Sequence, residues 1–170
     1  MTSLNLKSIA DRIAIREVLE RYCRGIDRLD AELINEAYWD EAIDDHGASF
    51  YKGPGKDFAK LAVPMLFERY RCAMHCLHQS LIELHGNRAN VETYFVAYAC
   101  QSLKQAGRET IEISGGRYVD VMEERNGEWR IRDRVVVIEW GRLDKDLEPL
   151  SLPPEANRGR RDRNDIAYGG

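Results

Sequence analysis

The sequence predicts a single α+β domain in which three helices precede one curved antiparallel sheet. Before His75, apolar residues recur with the 3.6-residue period of amphipathic helices. After His75, segments rich in β-branched and aromatic residues alternate with short turn-forming clusters. Helices followed by a sheet are typical of the α+β class, with the helices covering one face of the sheet. The 170 residues suit one domain with one core.

The predicted helices come first. An amphipathic helix is expected over residues 8–27, with Asp30 as the N-cap of a short second helix over 31–39. A third helix is expected over 56–73, and Pro64 inside it should kink or divide it. Between the second and third helices we expect one or two short strands from Glu41 to Tyr51 and a turn at YKGPG, 51–55.

Four strand segments then form an antiparallel meander. They are LHQSLIEL, VETYFVAYACQSL, ETIEISGGRYVDVMEE and EWRIRDRVVVIEWGRL, separated by HGNRAN, KQAGRE and RNGE. The pattern stops near Asp144, so the domain is expected over 1–143 and a polar C-terminal arm over 144–170. The arm is either a solvated tail or a segment that packs on a neighbouring subunit through Ile166 and Tyr168.

Composition excludes several classes of partner. A formal charge of -4 and a pI near 5.6 argue against a general nucleic-acid binder. No apolar run approaches the ~20 residues that span a bilayer, so no membrane partner is expected. The N-terminal residues lack the basic-then-apolar pattern of a secretory signal, which predicts a cytoplasmic protein.

Asp27 and His75 are the first candidates for chemistry. Asp27 lies on the apolar side of the first helix, in its last turn, where the helix dipole disfavours a carboxylate by ~0.3–1 kcal/mol. It could also simply cap the helix. His75 opens the first long strand and, if it points inward, shares a face with Leu77 and Leu81. A lone histidine there is usually a core residue, but a neighbouring carboxylate would fix its tautomer and make it a base. His78 falls on the opposite face.

Arg134 interrupts the apolar pattern of the last strand. Its parity is opposite to that of Trp129 and Ile131, so either a bulge turns it inward or it faces solvent. Inward, it could hold an anionic or carbonyl oxygen; outward, it would pair with an acidic residue on the neighbouring strand. Asp120 is a further possible polar group of the site.

Aromatic residues could line a pocket, although aromatic residues in a core are often only core. His46 and His85 lie in or near turns and are expected to be exposed. The candidate pocket residues are Tyr22, Trp39, Tyr51, Tyr94, Tyr98 and Tyr118.

Cysteine and histidine crowd together after the third helix, as Cys72, His75, Cys76 and His78. Such a cluster can bind metal, but structural zinc sites usually take a second ligand pair elsewhere in the chain, and none is evident. We therefore predict buried free thiols and no metal.

Four segments carry a family resemblance over roughly residues 8–142: IREVLERYCRGIDRLD, YKGPG, MHCLHQSLIELHGNRANVETYFVAY and GGRYVDVMEERNGEWRIRDR. They resemble the SnoaL-like family of the nuclear-transport-factor-2-like superfamily. The resemblance implies a cone-shaped, curved sheet, mixed or antiparallel, of the cystatin-like type. Within the family the chain is most similar to lyases of the bile acid 7α-dehydratase, hexachlorocyclohexane dehydrochlorinase and scytalone dehydratase types.

The resemblance also implies roles for particular residues. Asp27 and His75 match the proton-transfer pair that those lyases share. Arg134 matches an arginine of the dehydrochlorinase and the bile acid enzyme, and Tyr22 matches a catalytic tyrosine of the latter. The bile acid enzyme also carries an acidic residue on its second long strand, where this chain offers only Glu92.

The implied function is an elimination without cofactor or metal on a hydrophobic polycyclic or aromatic small molecule. His75 would take a proton from carbon while Asp27 orients it, and Tyr22 and Arg134 would bind a carbonyl or assist a departing hydroxide. The same pocket could instead serve an isomerase or cyclase. A binding or assembly domain without catalysis, such as a ring-hydroxylating dioxygenase small subunit, is the other alternative. The clustering of titratable groups favours an enzyme. The family also implies a dimer or trimer formed through the outer sheet face.

Overall fold

A computed structural model describes residues 5–101 and 108–169. Across these residues the strands form one six-stranded sheet in the order β2-β1-β6-β5-β4-β3. β1 runs parallel to β6 and all other neighbours are antiparallel, so the sheet is mixed. The elements are α1 (Leu6–Arg28), α2 (Ala31–Glu36), β1 (Tyr38–Asp45), β2 (Lys52–Pro54), α3 (Gly55–Arg69), β3 (Tyr70–His85), β4 (Arg88–Gln101), β5 (Glu109–Arg125) and β6 (Glu128–Leu147).

The predicted α+β class and the meander of four long strands are confirmed. Of the three predicted turns, KQAGRE falls largely on residues outside those that the structure describes. None of the described helices is both long enough and apolar enough to cross a bilayer.

The first helix begins and ends where local capping dictates. Asn5 caps α1 by accepting a hydrogen bond from the Ser8 backbone N–H, and the Ser8 side chain bonds back to Asn5. The helix ends at Leu29, which adopts a left-handed conformation with φ 58°. Asp30 then caps α2, as predicted, by accepting from the backbone N–H groups of its first turn. These caps turn the chain sharply directly after Asp27.

Two helix ends were predicted too late, for the same reason. α2 stops at Glu36 instead of residue 39, because Tyr38 pairs with Ile131 of the last strand. α3 stops at Arg69 instead of residue 73, because Tyr70 pairs with Gln101. His75 therefore lies inside β3 and does not open it. In both places the hydrogen bonds of the sheet override the local helical pattern.

The region around α3 differs from expectation in two further ways. Pro64 does not divide α3, which is continuous across it. The predicted turn at 51–55 contains the short strand β2, which pairs with β1, and Gly55 already begins α3. A Cβ on Gly55 would lie 2.5 Å from the Tyr38 ring, so glycine lets the start of α3 approach β1 closely.

Bulges decide which side chains face the core. Met122 of β5 pairs with Ile131 of β6, whereas the preceding residue, Val121, pairs with Asp133. Arg132 is therefore an extra residue on β6, which forms a β-bulge. After this bulge Arg134 points to the same face as Ile131, which is the inward alternative. A second shift, between Leu77 and Ser80 of β3, turns Leu81 outward, where it is 61% exposed. Leu81 therefore does not share the face of His75, contrary to expectation.

The core lies between the helices and the concave face of the sheet. It is built from one apolar stripe of each helix and the inward residues of the strands. Its most deeply buried apolar side chains include Ile15, Leu19, Tyr22, Ile34, Tyr38, Met122 and Ile131.

The C-terminal segment packs against its own chain and is not a solvated tail. β6 continues to Leu147, past residue 143, and the chain after it folds back onto its own α1. Tyr168 donates a hydrogen bond to Asp30, and Arg163 pairs with the same carboxylate. Ile166, by contrast, is 75% exposed. Hydrogen bonds and ion pairs to α1 and Asp30 therefore hold the segment 148–169 on its own chain, and Ile166 takes no part in this contact.

Candidate active site

Asp27 and His75 form a close pair between α1 and β3. Asp27 Oδ1 lies 2.7 Å from Nδ1 of the His75 ring, and Oδ2 accepts a hydrogen bond of 2.9 Å from the His75 backbone N–H. Both oxygens of one carboxylate are thus held by one residue. A carboxylate only accepts, so Nδ1–H is the donor of this pair and Nε2 is the ring nitrogen that the pair leaves unused. The two side chains are 13% and 16% exposed, so they lie near the surface without being bathed in solvent.

Arg161 of the C-terminal segment holds the end of α1 that carries Asp27. Its guanidinium donates to the backbone carbonyls of Asp27 and Ile26, and also to those of Leu66 and Tyr70. The last carbonyls of a helix have no partner within the helix, so an arginine at this point completes their hydrogen bonds. The same side chain ties α1 to the junction of α3 and β3.

His75 borders an apolar cavity of about 170 Å³. The cavity lies between α1, α3 and the concave face of the sheet. Its polar lining residues are Tyr22, His46, His75, Ser114 and Tyr118, and its apolar ones include Ile26, Phe58, Met65, Leu66, Phe95 and Val136. The other side of the Asp27–His75 pair faces a polar groove of about 330 Å³ lined by arginines of α1. The pair therefore separates an apolar cavity from a charged surface groove.

Arg134 lies behind the cavity and is not among its lining residues. Its guanidinium makes two hydrogen bonds of 2.8 Å with Asp120, and both side chains are inaccessible to solvent. The guanidinium carbon lies 4.3 Å from the ring centre of Tyr22 and 4.2 Å from that of Tyr118. Arg134 pairs with an acidic residue of the neighbouring strand, but inside the core. Arg134 is therefore separated from the cavity by the rings of Tyr22 and Tyr118, which do line it.

The pKa values of the buried groups follow from their surroundings. Burial opposes the charge on Arg134, but the Asp120 carboxylate outweighs it and raises the arginine pKa. Burial raises the pKa of Asp120, against the opposing effect of Arg134. The two short charge-assisted hydrogen bonds hold both partners in their ionised forms.

Two tyrosines of the cavity and the buried thiol of Cys23 stay protonated. Burial, followed by the nearby Asp44 carboxylate, raises the pKa of Tyr22, and burial raises that of Tyr118. Burial also raises the pKa of the Cys23 thiol to about 12. The Tyr22 hydroxyl is therefore neutral, so it can donate a hydrogen bond but cannot serve as a base near neutral pH.

His46 is the site residue that the sequence analysis missed. It lines the cavity and its ring stacks on Phe58, with 4.2 Å between the ring centres. Its Nε2 lies 3.1 Å from Oδ2 of Asp44, which is fully buried. The expectation that His46 is exposed is wrong, since its side chain is only 14% accessible. The available signal was the spacing: Asp44 and His46, two apart at a strand end, share one face.

Four of the six predicted pocket aromatics lie elsewhere. Trp39 is in β1 and not in a helix, and its indole N–H donates to the Glu123 carbonyl. Tyr51 bonds to the Pro54 carbonyl and packs beside Phe58. Tyr98 is 42% exposed on the outer face of the sheet, on the strand position opposite Met74. Tyr94 is 40% exposed. None of these four is among the cavity's lining residues, whereas Tyr22 and Tyr118 both are.

The remaining candidates are placed as follows. Glu92 pairs with Arg117 at 3.0 Å on the outer surface. All four cysteines are free, and Cys23 is the buried one. Within residues 5–101 and 108–169, no three histidine, cysteine, aspartate or glutamate side chains are grouped so that they could hold a metal ion.

The curved mixed sheet, with helices over its concave face and a cavity beside them, defines the class of helix-covered, curved-sheet α+β domains. The family model for the SnoaL-like domain matches residues 7–135, so the chain belongs to the SnoaL-like family. No curated protein sequence matches the chain significantly.

Solved structures share the fold at low sequence identity. A proposed scytalone dehydratase from Novosphingobium aromaticivorans superposes with a TM-score of 0.70 and 16% identity, over 89% of this chain and 97% of that one. A type 2 hexachlorocyclohexane dehydrochlorinase superposes with a TM-score of 0.73 and 17% identity, over 89% and 99%. A cystatin-like protein of unknown function from Nostoc punctiforme gives 0.60 and 19%, over 81% and 96%. These likenesses show the nuclear-transport-factor-2-like fold.

Proposed function

We propose that the protein is a lyase that eliminates a small group from a hydrophobic substrate, with His75 as the base and Asp27 as its orienting partner. One observation carries the proposal: Asp27 holds both Nδ1 and the backbone N–H of His75, so that Nε2 is left as the acceptor beside an apolar cavity. A base with a fixed tautomer beside a dry cavity suits proton abstraction from carbon. The SnoaL-like neighbours of dehydratase and dehydrochlorinase type agree with this reaction class.

We propose that the Tyr22 hydroxyl donates a hydrogen bond to the substrate oxygen that gains negative charge as the proton leaves. An imidazole removes a proton only from a carbon acidified by a neighbouring group such as a carbonyl, whose oxygen becomes an enolate. Tyr22 lines the cavity, and its raised pKa keeps the hydroxyl protonated and available to that oxygen. Arg134, packed on the Tyr22 ring, fixes the tyrosine in place and adds positive charge behind it.

The cavity volume limits the substrate. A protein cavity of about 150 Å³ accommodates benzene, and the present one measures about 170 Å³. It therefore encloses one six-membered ring. We propose a substrate with a single ring in the cavity; a polycyclic substrate would have to extend beyond it. We also propose that a second copy of the chain covers the outer sheet face, which exposes several large apolar side chains.

Proton abstraction can be tested without knowing the natural substrate. Cyclohexanone is a single-ring ketone, and exchange of its α-protons in D2O, followed by NMR, reports only the step assigned to His75. We expect the enzyme to catalyse the exchange, and H75Q and D27N each to slow it by about 10²–10⁴-fold, because the first removes the base and the second its orienting carboxylate.

His78 provides the matched control. It lies on the same strand, and its backbone carbonyl, rather than its ring, bonds to Arg16. H78Q should exchange cyclohexanone at the wild-type rate. Full activity of H75Q or D27N would contradict the mechanism. If the wild type binds cyclohexanone but does not exchange its protons, the result would favour the alternative function, a binding or assembly domain without catalysis.

A further inference from the structure

Two free cysteines face each other across neighbouring strands at one end of the sheet. Cys72 of β3 and Cys100 of β4 are register partners in an antiparallel pair. We propose that they form a site of reversible oxidation, at which a low-molecular-weight disulfide such as oxidised glutathione converts the two thiols into a disulfide between β3 and β4. The site lies outside the cavity and does not depend on the proposed elimination.

The antiparallel register gives the two cysteines the spacing that a disulfide needs. Residues directly opposite each other in an antiparallel pair have Cα atoms about 4.5 or 5.5 Å apart, depending on whether they exchange hydrogen bonds. Disulfides join residues whose Cα atoms are about 4.4–6.8 Å apart, so either arrangement is suitable. The side chains of Cys72 and Cys100 also point to the same face of the sheet, and their thiols are hydrogen-bonded to each other.

The other two cysteines are not placed in this way. Cys76 lies on the same face of β3, four residues further along, and its register partner is Val96. Four residues of a strand span about 13 Å, which is too far for Cys76 to reach Cys100 without a change of register. Cys23 is buried in α1. The sheet register therefore brings together Cys72 and Cys100, and Cys76 is a natural control on the same strand.

A small oxidant can reach the cysteine pair. Both residues are only partly buried, and they follow Met74 and Tyr98 at the end of the outer sheet face. Trp140, on the same face, aligns across β5 with Val96. Val96 is four residues from Cys100, which corresponds to about 13 Å along the strand. The pair therefore lies at the margin of the face proposed to hold a second copy of the chain, and not at its centre.

The oxidation balances as two steps of thiol–disulfide exchange. Burial, together with the hydrogen bond to Cys72, raises the pKa of the Cys100 thiol to about 11, so the first attack falls to Cys72. Cys72 Sγ bonds to one sulfur of oxidised glutathione, whose S–S bond breaks and leaves its electron pair on the other glutathione. Cys100 Sγ then bonds to Cys72 Sγ and displaces the first glutathione. The two thiol protons pass through solvent to the released glutathiones, so two protein thiols are oxidised and one glutathione disulfide is reduced.

The disulfide fixes the start of β3. The strand is irregular at this point, because Arg71 is an extra residue between the register positions of Tyr70 and Cys72. The Tyr70 carbonyl accepts a hydrogen bond from Arg161 of the C-terminal segment. Oxidation therefore ties to β4 the strand end on which the C-terminal segment is anchored. A partly exposed disulfide is also more readily reduced than a buried one, which makes the modification reversible.

The test equilibrates the folded protein with oxidised glutathione and analyses it by mass spectrometry. The wild type should pass from four free thiols to two, with a mass lower by two hydrogens, and dithiothreitol should restore all four. Trypsin cuts after Arg71 and Arg88, so Cys72 and Cys76 share one peptide and a variant must assign the link. C76S should form the same disulfide as the wild type. C72S and C100S should form none within the chain and should carry only mixed disulfides with glutathione.

Unfolding in urea measures whether the fold itself favours the disulfide. We expect the equilibrium constant for forming the disulfide to be about 10²-fold higher in the folded wild type than in the same protein unfolded in urea, because the fold holds the two thiols side by side. By linkage, the disulfide stabilises the fold to the same extent, so oxidation should raise the urea midpoint of the wild type and of C76S. The midpoint of C100S should be the same before and after treatment with oxidised glutathione.

Three results would overturn the proposal. They are a wild type that keeps four free thiols, a disulfide that joins two copies of the chain on a gel run without reductant, and a urea midpoint that oxidation does not raise. Any of them would leave Cys72 and Cys100 as packed side chains with no redox role. Cyclohexanone exchange does not enter this test, so its outcome and the outcome for His75 are independent of each other.

Discussion

Arg134 and Asp120 exchange two hydrogen bonds in the middle of the domain, with no access to solvent. A buried ion pair adds little net stability over apolar residues of similar shape, but removing one partner strands the other charge. Here the guanidinium also fills the space between the rings of Tyr22 and Tyr118. Arg134 therefore controls both the charge of the interior and the position of the tyrosine assigned to the substrate oxygen.

We expect Arg134→Met to destabilise the protein by about 3–5 kcal/mol, because it leaves the Asp120 carboxylate buried and unpaired. The free energy of unfolding in urea measures this. The double variant R134M/D120L should regain part of the loss, since neither charge remains. R117M, which removes an exposed pair with Glu92, is the control and should shift the urea midpoint little. A midpoint for R134M close to that of R117M would contradict the argument.

Between elements, the C-terminal segment acts as a brace on α1. Arg161 completes the carbonyls at the helix end next to Asp27, and Asp162 and Asp165 order the loop that carries it. The hydrogen bond from Arg160 lowers the pKa of Asp162 to about 2, below its ordinary 3.8. A lowered pKa means that this contribution is fully present above about pH 4 and disappears as the pH falls towards 2.

Arg161→Met should therefore weaken both the fold and the site. We expect a loss of about 1–3 kcal/mol, because carbonyls at the end of α1 lose their donor. We also expect slower exchange of cyclohexanone protons, because Asp27 is held less firmly and the positive charge beside it is gone. Arg158→Met in the same segment is the control, since its one hydrogen bond stays within the segment. If exchange by R161M equals that by R158M, Arg161 has no part in positioning the pair.

At the scale of the whole molecule, the sheet has two unlike faces. The concave face holds the core and the cavity, while the outer face exposes Met74, Tyr94, Tyr98, Val119, Val135 and Trp140. Large exposed apolar patches mark interaction surfaces. We propose that a second copy of the chain packs on this face, as the family resemblance implies.

We expect Trp140→Arg to shift the protein to a smaller species in sedimentation velocity, because a charge at this position opposes burial of the sheet face. Phe67→Arg is the control: Phe67 is 71% exposed, but it lies on α3, away from the sheet face. A wild-type protein that sediments as a monomer at all concentrations would refute the proposed assembly, and equal effects of both substitutions would place the interface elsewhere.

Much of the architecture is local in origin and could be predicted. Several signals act over only a few residues and can therefore be predicted from the sequence. They are the caps at Asn5 and Asp30, the 3.6-residue periodicity of α1 and the turn clusters between the long strands. The closeness of Asp27 and His75 could be proposed only because the segments around them resemble a family. Their 48-residue separation carries no information about contact.

The sequence by itself determined the α+β class, the order of the long strands and the amphipathic faces, because propensity and periodicity act between neighbours in the chain. Only the tertiary structure decided the ends of α2 and α3, the inward turn of Arg134 and the place of His46. Each of these depends on pairing between distant strands. The bulge at Arg132 reverses the parity of β6 from that point to a second bulge at Glu139, and β1 brings Asp44 beside Arg134. Such non-local hydrogen bonds outweigh local preference, and they bring Asp44 and His46 to the cavity.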